Sequence, residues 1–71
     1  MTGTELLRRL KKIAKERGLR LNLIRERGKG SHATLYLGDR FTVIKDRKKE
    51  IGPGLLRKML NDLGLYKSDI E

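Results

Sequence analysis

The spacing of apolar residues changes twice along this chain, and that change restricts the fold more than any other feature. Leu6, Leu7, Leu10, Ile13 and Ala14 fall on one face of a helix. From Leu19 to Lys45 the apolar residues instead alternate with polar ones, the period of half-buried strands. Leu55, Leu56, Met59, Leu60 and Leu63 then return to helical spacing. With 71 residues the chain fits one domain, 1–71, and has no room for a separate cofactor domain. The order is α-β-β-β-α. An antiparallel three-stranded sheet has one face to cover, and two amphipathic helices on that face give a two-layer α+β fold.

The punctuation agrees with this order. Thr2 and Glu5 have capping-box spacing, so the first helix runs from about residue 4 to 17, with Thr2 or Thr4 as its N-cap and Gly18 as its left-handed stop. Leu19, Leu21 and Leu23 form the first strand, which fades into a basic, glycine-punctuated turn over 25–30. The second strand carries Ala33, Leu35 and Leu37 on one face and His32, Thr34 and Tyr36 on the other. Gly38 and Asp39 turn the chain into a third strand, Phe41 to Lys45, rich in β-branched residues. A two-residue Gly38-Asp39 loop suits a type II′ turn and sets Lys45 opposite His32. A three-residue loop would put Phe41 and Val43 beside Leu35 and Leu37, which separates apolar from polar better and weighs a little more. Gly52-Pro53-Gly54 opens the second helix, with Pro53 in the first turn, and Gly64 closes it, followed by Leu65. Residues from Tyr66 onward form one more turn or fray. No linker and no repeat is visible. The architecture is the one shared by double-stranded-RNA-binding domains.

Charge narrows the function. Eighteen Lys and Arg against nine Asp and Glu give a formal charge of +9, so a polyanionic partner is expected. The outward face of the first helix carries Arg8, Arg9, Lys11, Lys12 and Lys15 against only Glu5 and Glu16. The absence of cysteine excludes disulfides and thiolate zinc sites, and a single histidine excludes a multi-histidine metal centre. No metal and no cofactor is expected. No apolar run approaches the roughly 20 residues that span a bilayer. Arg8, Arg9, Lys11 and Lys12 interrupt the N-terminal apolar residues and argue against a signal peptide. A soluble, cytoplasmic protein without a membrane partner is the expectation. Neither GxxxxGK[ST] nor GxGxxG occurs, no carboxylate pair sits in an apolar setting, and Ser31 beside His32 is no triad because strand neighbours point to opposite faces.

The segment Gly28-Lys29-Gly30-Ser31-His32 is the richest in chemistry. Its glycines let backbone approach a bulky ligand, Lys29 brings an ammonium, and successive N–H groups in such a turn cradle anions. His32 follows at the head of a strand, and imidazole exchanges protons near neutral pH. RNA supplies its own nucleophile, the 2′-hydroxyl. One general base plus cations that offset phosphorane charge therefore suffice for cleavage. The candidate catalytic residue is His32. The candidate RNA-binding residues are Arg27, Gly28, Lys29, Gly30 and Ser31, with Lys45 and, from the first helix, Lys12 and Lys15. A non-catalytic RNA-binding module with the same fold and charge is the alternative, since binding needs cations but no base. A basic DNA-binding or ribosome-associated protein is a third. With only Tyr36, Phe41 and Tyr66 as aromatics, base readout by stacking of the RRM type is not expected.

Three features in order resemble the HicA (YcfA-like) toxins, small mRNA interferases of type II toxin–antitoxin systems. A leading amphipathic helix closes at Gly18, Gly30-Ser31-His32 follows the first strand, and the second helix opens with Pro53-Gly54 and reads Leu55-Leu56-Arg57-Lys58-Met59-Leu60-Asn61-Asp62-Leu63-Gly64-Leu65. The resemblance spans nearly the whole chain. Leu19 stands where the family often has an aromatic residue, and the hairpin after His32 is short. The resemblance implies a double-stranded-RNA-binding-like fold, metal-independent endoribonuclease activity on mRNA with His32 as catalytic residue, and neutralisation by a HicB antitoxin.

Overall fold

The computed structural model describes residues 1–25, 32–45 and 48–70. Helix α1 spans Gly3–Arg17. The Glu5 amide donates to Thr2 Oγ1 at 3.2 Å, so Thr2 is the N-cap. The Glu5 carboxylate turns the other way, to Arg8 and Arg9 at 3.6 and 3.5 Å, leaving only half of a capping box. Gly18 ends the helix with φ +66°, a conformation that costs a side-chain-bearing residue about 1–2 kcal/mol.

Strands β1 (Leu21–Arg25), β2 (Ala33–Leu37) and β3 (Arg40–Ile44) form an antiparallel sheet in the order β1-β2-β3. β1 begins two residues later than the alternation predicts. Leu19 is used in leaving the helix: its amide bonds to the Ala14 carbonyl at 2.8 Å, and its side chain stays 40% exposed.

The β2–β3 hairpin has the two-residue loop, which corrects the patterning expectation. Leu37 pairs with Arg40, Leu35 with Thr42 and Ala33 with Ile44. Gly38 has φ +60°, and no described non-glycine residue has positive φ, which matches a type II′ turn. Phe41 and Val43 therefore point away from the helices and are 56% and 48% exposed. Polar Thr42 takes the core-facing position and is tolerated because its hydroxyl donates to Asp62 Oδ2 at 2.9 Å.

Helix α2 spans Pro53–Asp62, with Pro53 in its first turn. Its end is a Schellman motif. Gly64 has φ +73°, its amide bonds to the Asn61 carbonyl at 3.1 Å, and the Leu65 amide reaches the Leu60 carbonyl at 2.8 Å. Leu55, expected in the core, is 46% exposed. A third helix, α3 (Lys67–Ile70), follows. Asp69 accepts from the Tyr66 amide at 2.7 Å and pairs with Arg17 at 2.8 Å, while Arg9 bonds to the Ile70 carbonyl at 2.7 Å.

Both long helices cover the same face of the sheet. Leu6, Leu10, Ile13 and Ala14 of α1 and Leu56, Met59 and Leu60 of α2 share one core cluster with Ala33, Leu35, Leu37 and Ile44. Leu63, Leu65 and Ile70 extend it beneath the C-terminal turns. An antiparallel bridge between Thr2 and Glu50 ties the start of α1 to the approach of α2. The fold is α+β in two layers, and the far face of the sheet is left open.

Candidate functional site

The paired part of the open face is built from two cross-strand rungs. Asn22, Tyr36 and Phe41 form the first, and Ile24, Thr34 and Val43 the second. The last paired residues of β2 and β3 are Ala33 and Ile44. His32 and Lys45 come next on the two strands, and alternation turns both toward the open side. His32 is half-buried and Lys45 exposed. The backbone at His32 is held in place because Ala33, immediately after it, is buried and paired to both neighbouring strands. An imidazole and an ammonium thus stand at the same end of the hairpin, the arrangement that the type II′ turn implies.

The open face is more apolar than the sequence suggests. Ile24, Tyr36, Phe41 and Val43 are all exposed there, and the Tyr36 and Phe41 rings lie tilted with centroids 5.7 Å apart. Patterning missed this pair because it assigned Phe41 to the core. The clue was Gly38, whose fit to a type II′ turn fixes the register that brings the two rings opposite each other.

The expected site residues fall in three places. Arg27, Gly28, Lys29, Gly30 and Ser31 lie outside the described residues. Lys45 accompanies His32. Lys12 and Lys15 are exposed on α1, in the layer on the other side of the sheet. Lys12 lines a groove there with Arg9, Glu16, Asp69 and Ile70, so it does not share the open face with His32.

Two carboxyls are held below the usual carboxylate range. For Asp62 the leading cause is the Thr42 hydroxyl, followed by the hydrogen bond from Lys58 at 3.2 Å. For Asp69 it is the Tyr66 amide, with Arg17 adding to it. Among the described residues no group of three or more His, Asp or Glu is placed to hold a metal ion, and no helix is long and apolar enough to cross a membrane.

The family model of the HicA toxin of bacterial toxin–antitoxin systems matches residues 5–65. The chain belongs to the HicA toxin family. That match runs from the first turn of α1 to the Leu65 that follows the Schellman glycine, so it takes in both long helices, the sheet and His32. No curated protein and no solved structure matches the chain. Membership of the HicA family brings with it, in general terms, an antitoxin partner and an RNA target.

Proposed function

We propose that this HicA-family toxin is a metal-independent endoribonuclease acting on mRNA in the cytoplasm, with His32 as general base and a HicB-like protein as its antitoxin. What supports the reading is the position of the only histidine, one residue before the paired strand β2, with Lys45 one residue past the end of β3. The imidazole takes the proton of an RNA 2′-hydroxyl, and the 2′-oxygen attacks the adjacent phosphorus. The bond from phosphorus to the 5′-oxygen breaks, and that oxygen takes up a proton from solvent. Lys45 offsets negative charge on the phosphorane, where a fixed cation lowers the barrier most. Tyr36 and Phe41 give flanking bases apolar surface to rest on. Arg27, Gly28, Lys29, Gly30 and Ser31 are assigned phosphate contacts on the chemistry of their sequence alone. Lys12 and Lys15 add to the field that attracts RNA from a distance.

Product chemistry tests the reaction. In excess EDTA the purified protein cuts RNA at an undiminished rate and leaves a 2′,3′-cyclic phosphate on the upstream fragment, read by mass spectrometry. A 3′-hydroxyl there, or loss of activity with the chelator, would mean that water or a metal hydroxide attacks instead.

A further inference from the structure

β3 is an edge strand, and among the described residues nothing is paired to its outer side. In a two-residue hairpin the pair flanking the turn exchanges both hydrogen bonds, and such pairs recur at every second residue. Arg40, Thr42 and Ile44 therefore spend their backbone groups on β2. The N–H and C=O groups of Phe41 and Val43 point outward, along the free edge. The usual defences of such an edge are short length, charged side chains, a proline, a bulge or a covering segment, and β3 has the first two: five residues, with Arg40 at its start and Lys45 just past its end. β3 has no proline, its register with β2 is unbroken, and no described segment pairs with it.

The edge also has a wall. Between β3 and α2 runs a groove of about 660 Å³ whose lining includes Phe41, Val43, Leu55, Met59, Lys45 and Lys58. Leu55 is a leucine on the first turn of α2 left 46% exposed, and it borders this groove. Two acids line the groove: Asp62 accepts from both Thr42 and Lys58, and Asp39 lies at the hairpin turn. Arg40 and Lys45 line the same groove and make no ion pair among the described residues. The groove thus offers backbone donors and acceptors in strand spacing, apolar side-chain contacts and a small excess of positive charge, with Arg40, Lys45 and Lys58 against Asp39 and Asp62.

We infer that this groove takes an extended, acidic segment of the antitoxin, which adds to β3 as a fourth strand. The inference rests on the antitoxin-partner reading and names the surface and the chemistry of contact. Backbone pairing supplies affinity, and alternate side chains of the added strand meet Leu55 and Met59. Its carboxylates face Lys45 and Arg40. A second copy of this chain fits poorly, because each copy carries +9 and would bring Lys45 and Lys58 against their own kind. RNA uses the cations but has no use for the strand's alternating donors and acceptors or for Leu55. A strand seated here passes Lys45, so it withdraws the cation beside His32 and blocks the mouth of the site.

Two variants of the full chain, carried on a His32→Ala background, separate the outcomes. Val43→Pro deletes an outward N–H at an edge position where proline is tolerated. Leu55→Glu places an acid in the first helical turn, favourable for the helix and repulsive to an acidic strand. The probe is the antitoxin recovered with the His32→Ala chain from the native host and identified as a member of the partner family by its sequence. Each variant weakens its binding at least tenfold while circular dichroism stays native, and the Phe41 and Val43 amides gain protection from hydrogen exchange in the parent complex. Leu55→Glu alone, with His32 restored, cuts RNA at the parent rate. Full-affinity binding of the antitoxin to both variants, or edge amides left unprotected in the complex, would overturn the groove assignment while leaving the antitoxin reading intact. Recovery of no antitoxin would overturn both. Protection of the same amides by an RNA oligonucleotide but not by antitoxin, or in a concentration-dependent dimer of the chain alone, would assign the groove to those occupants and overturn the inference.

Discussion

The hydroxyl of Thr42 and the carboxylate of Asp62 form the polar contact that lets β3 face the helices with a threonine. The bond favours the ionised acid and so depresses the Asp62 pKa. Asp69 is depressed in the same direction by the Tyr66 amide. A carboxyl whose folded pKa lies below its unfolded value contributes stability that is present above the unfolded pKa and is lost as pH falls through the folded one. The protein therefore loses stability on acidification below the ordinary carboxylate range. Thr42→Val removes the leading cause at Asp62, so its carboxyl titrates at higher pH and the acid-induced loss becomes shallower. Carbon-detected NMR titration of Asp62, with urea midpoints across the same pH range, measures both, and an unmoved Asp62 titration in the variant would show that the bond is not the cause. This contact is also where patterning reads the strand wrongly. Apolar alternation has no way to represent a threonine satisfied by an aspartate twenty positions away. Gly38 carries the correct register, because only a positive φ at that position fits the tight turn.

The two long helices and the three strands follow from local signals that agree with one another: apolar spacing, the Thr2 cap, the left-handed Gly18 and Gly64, and Pro53 in a first turn. α3 does not follow in that way. Four residues cannot show a helical period, and the stability of a single turn comes from what it docks against. Here Ile70 enters the core cluster while Arg9 and Arg17 hold the turn through the Ile70 carbonyl and the Asp69 carboxylate. Such long-range contacts are invisible until α1 is in place. Ile70→Ala is expected to cost about 2 kcal/mol, the low end for truncating a buried aliphatic side chain because the site lies near the chain's end. Chemical denaturation measures it. A variant as stable as the parent would mean that α3 contributes nothing to the core. Leu55 is the converse case: helical spacing assigns it to the core, yet the sheet is too narrow to cover it, and it borders the groove beside β3.

Across the whole molecule, binding and chemistry have separate physical origins. The charge of +9 is spread over both layers, so attraction for RNA is a property of the entire surface and falls steeply with added salt. In the proposed reaction, proton transfer rests on one imidazole at the head of β2. The sequence proposes His32 as the candidate site because one histidine in a basic chain admits few roles, and the residues before it, 27–31, lie outside the described residues. Its surroundings follow less directly, since the exposed Tyr36–Phe41 pair and the placing of Lys45 at the same end of the hairpin as His32 depend on hairpin register. The most direct measurement compares the parent and His32→Ala for RNA affinity over a series of salt concentrations and for single-turnover cleavage of the same RNA. The variant is expected to keep the parent's affinity and salt slope while its cleavage rate falls by about 10²-fold or more, the scale of a lost general base. A His32→Ala protein that cuts RNA at the parent rate would contradict the assignment of His32.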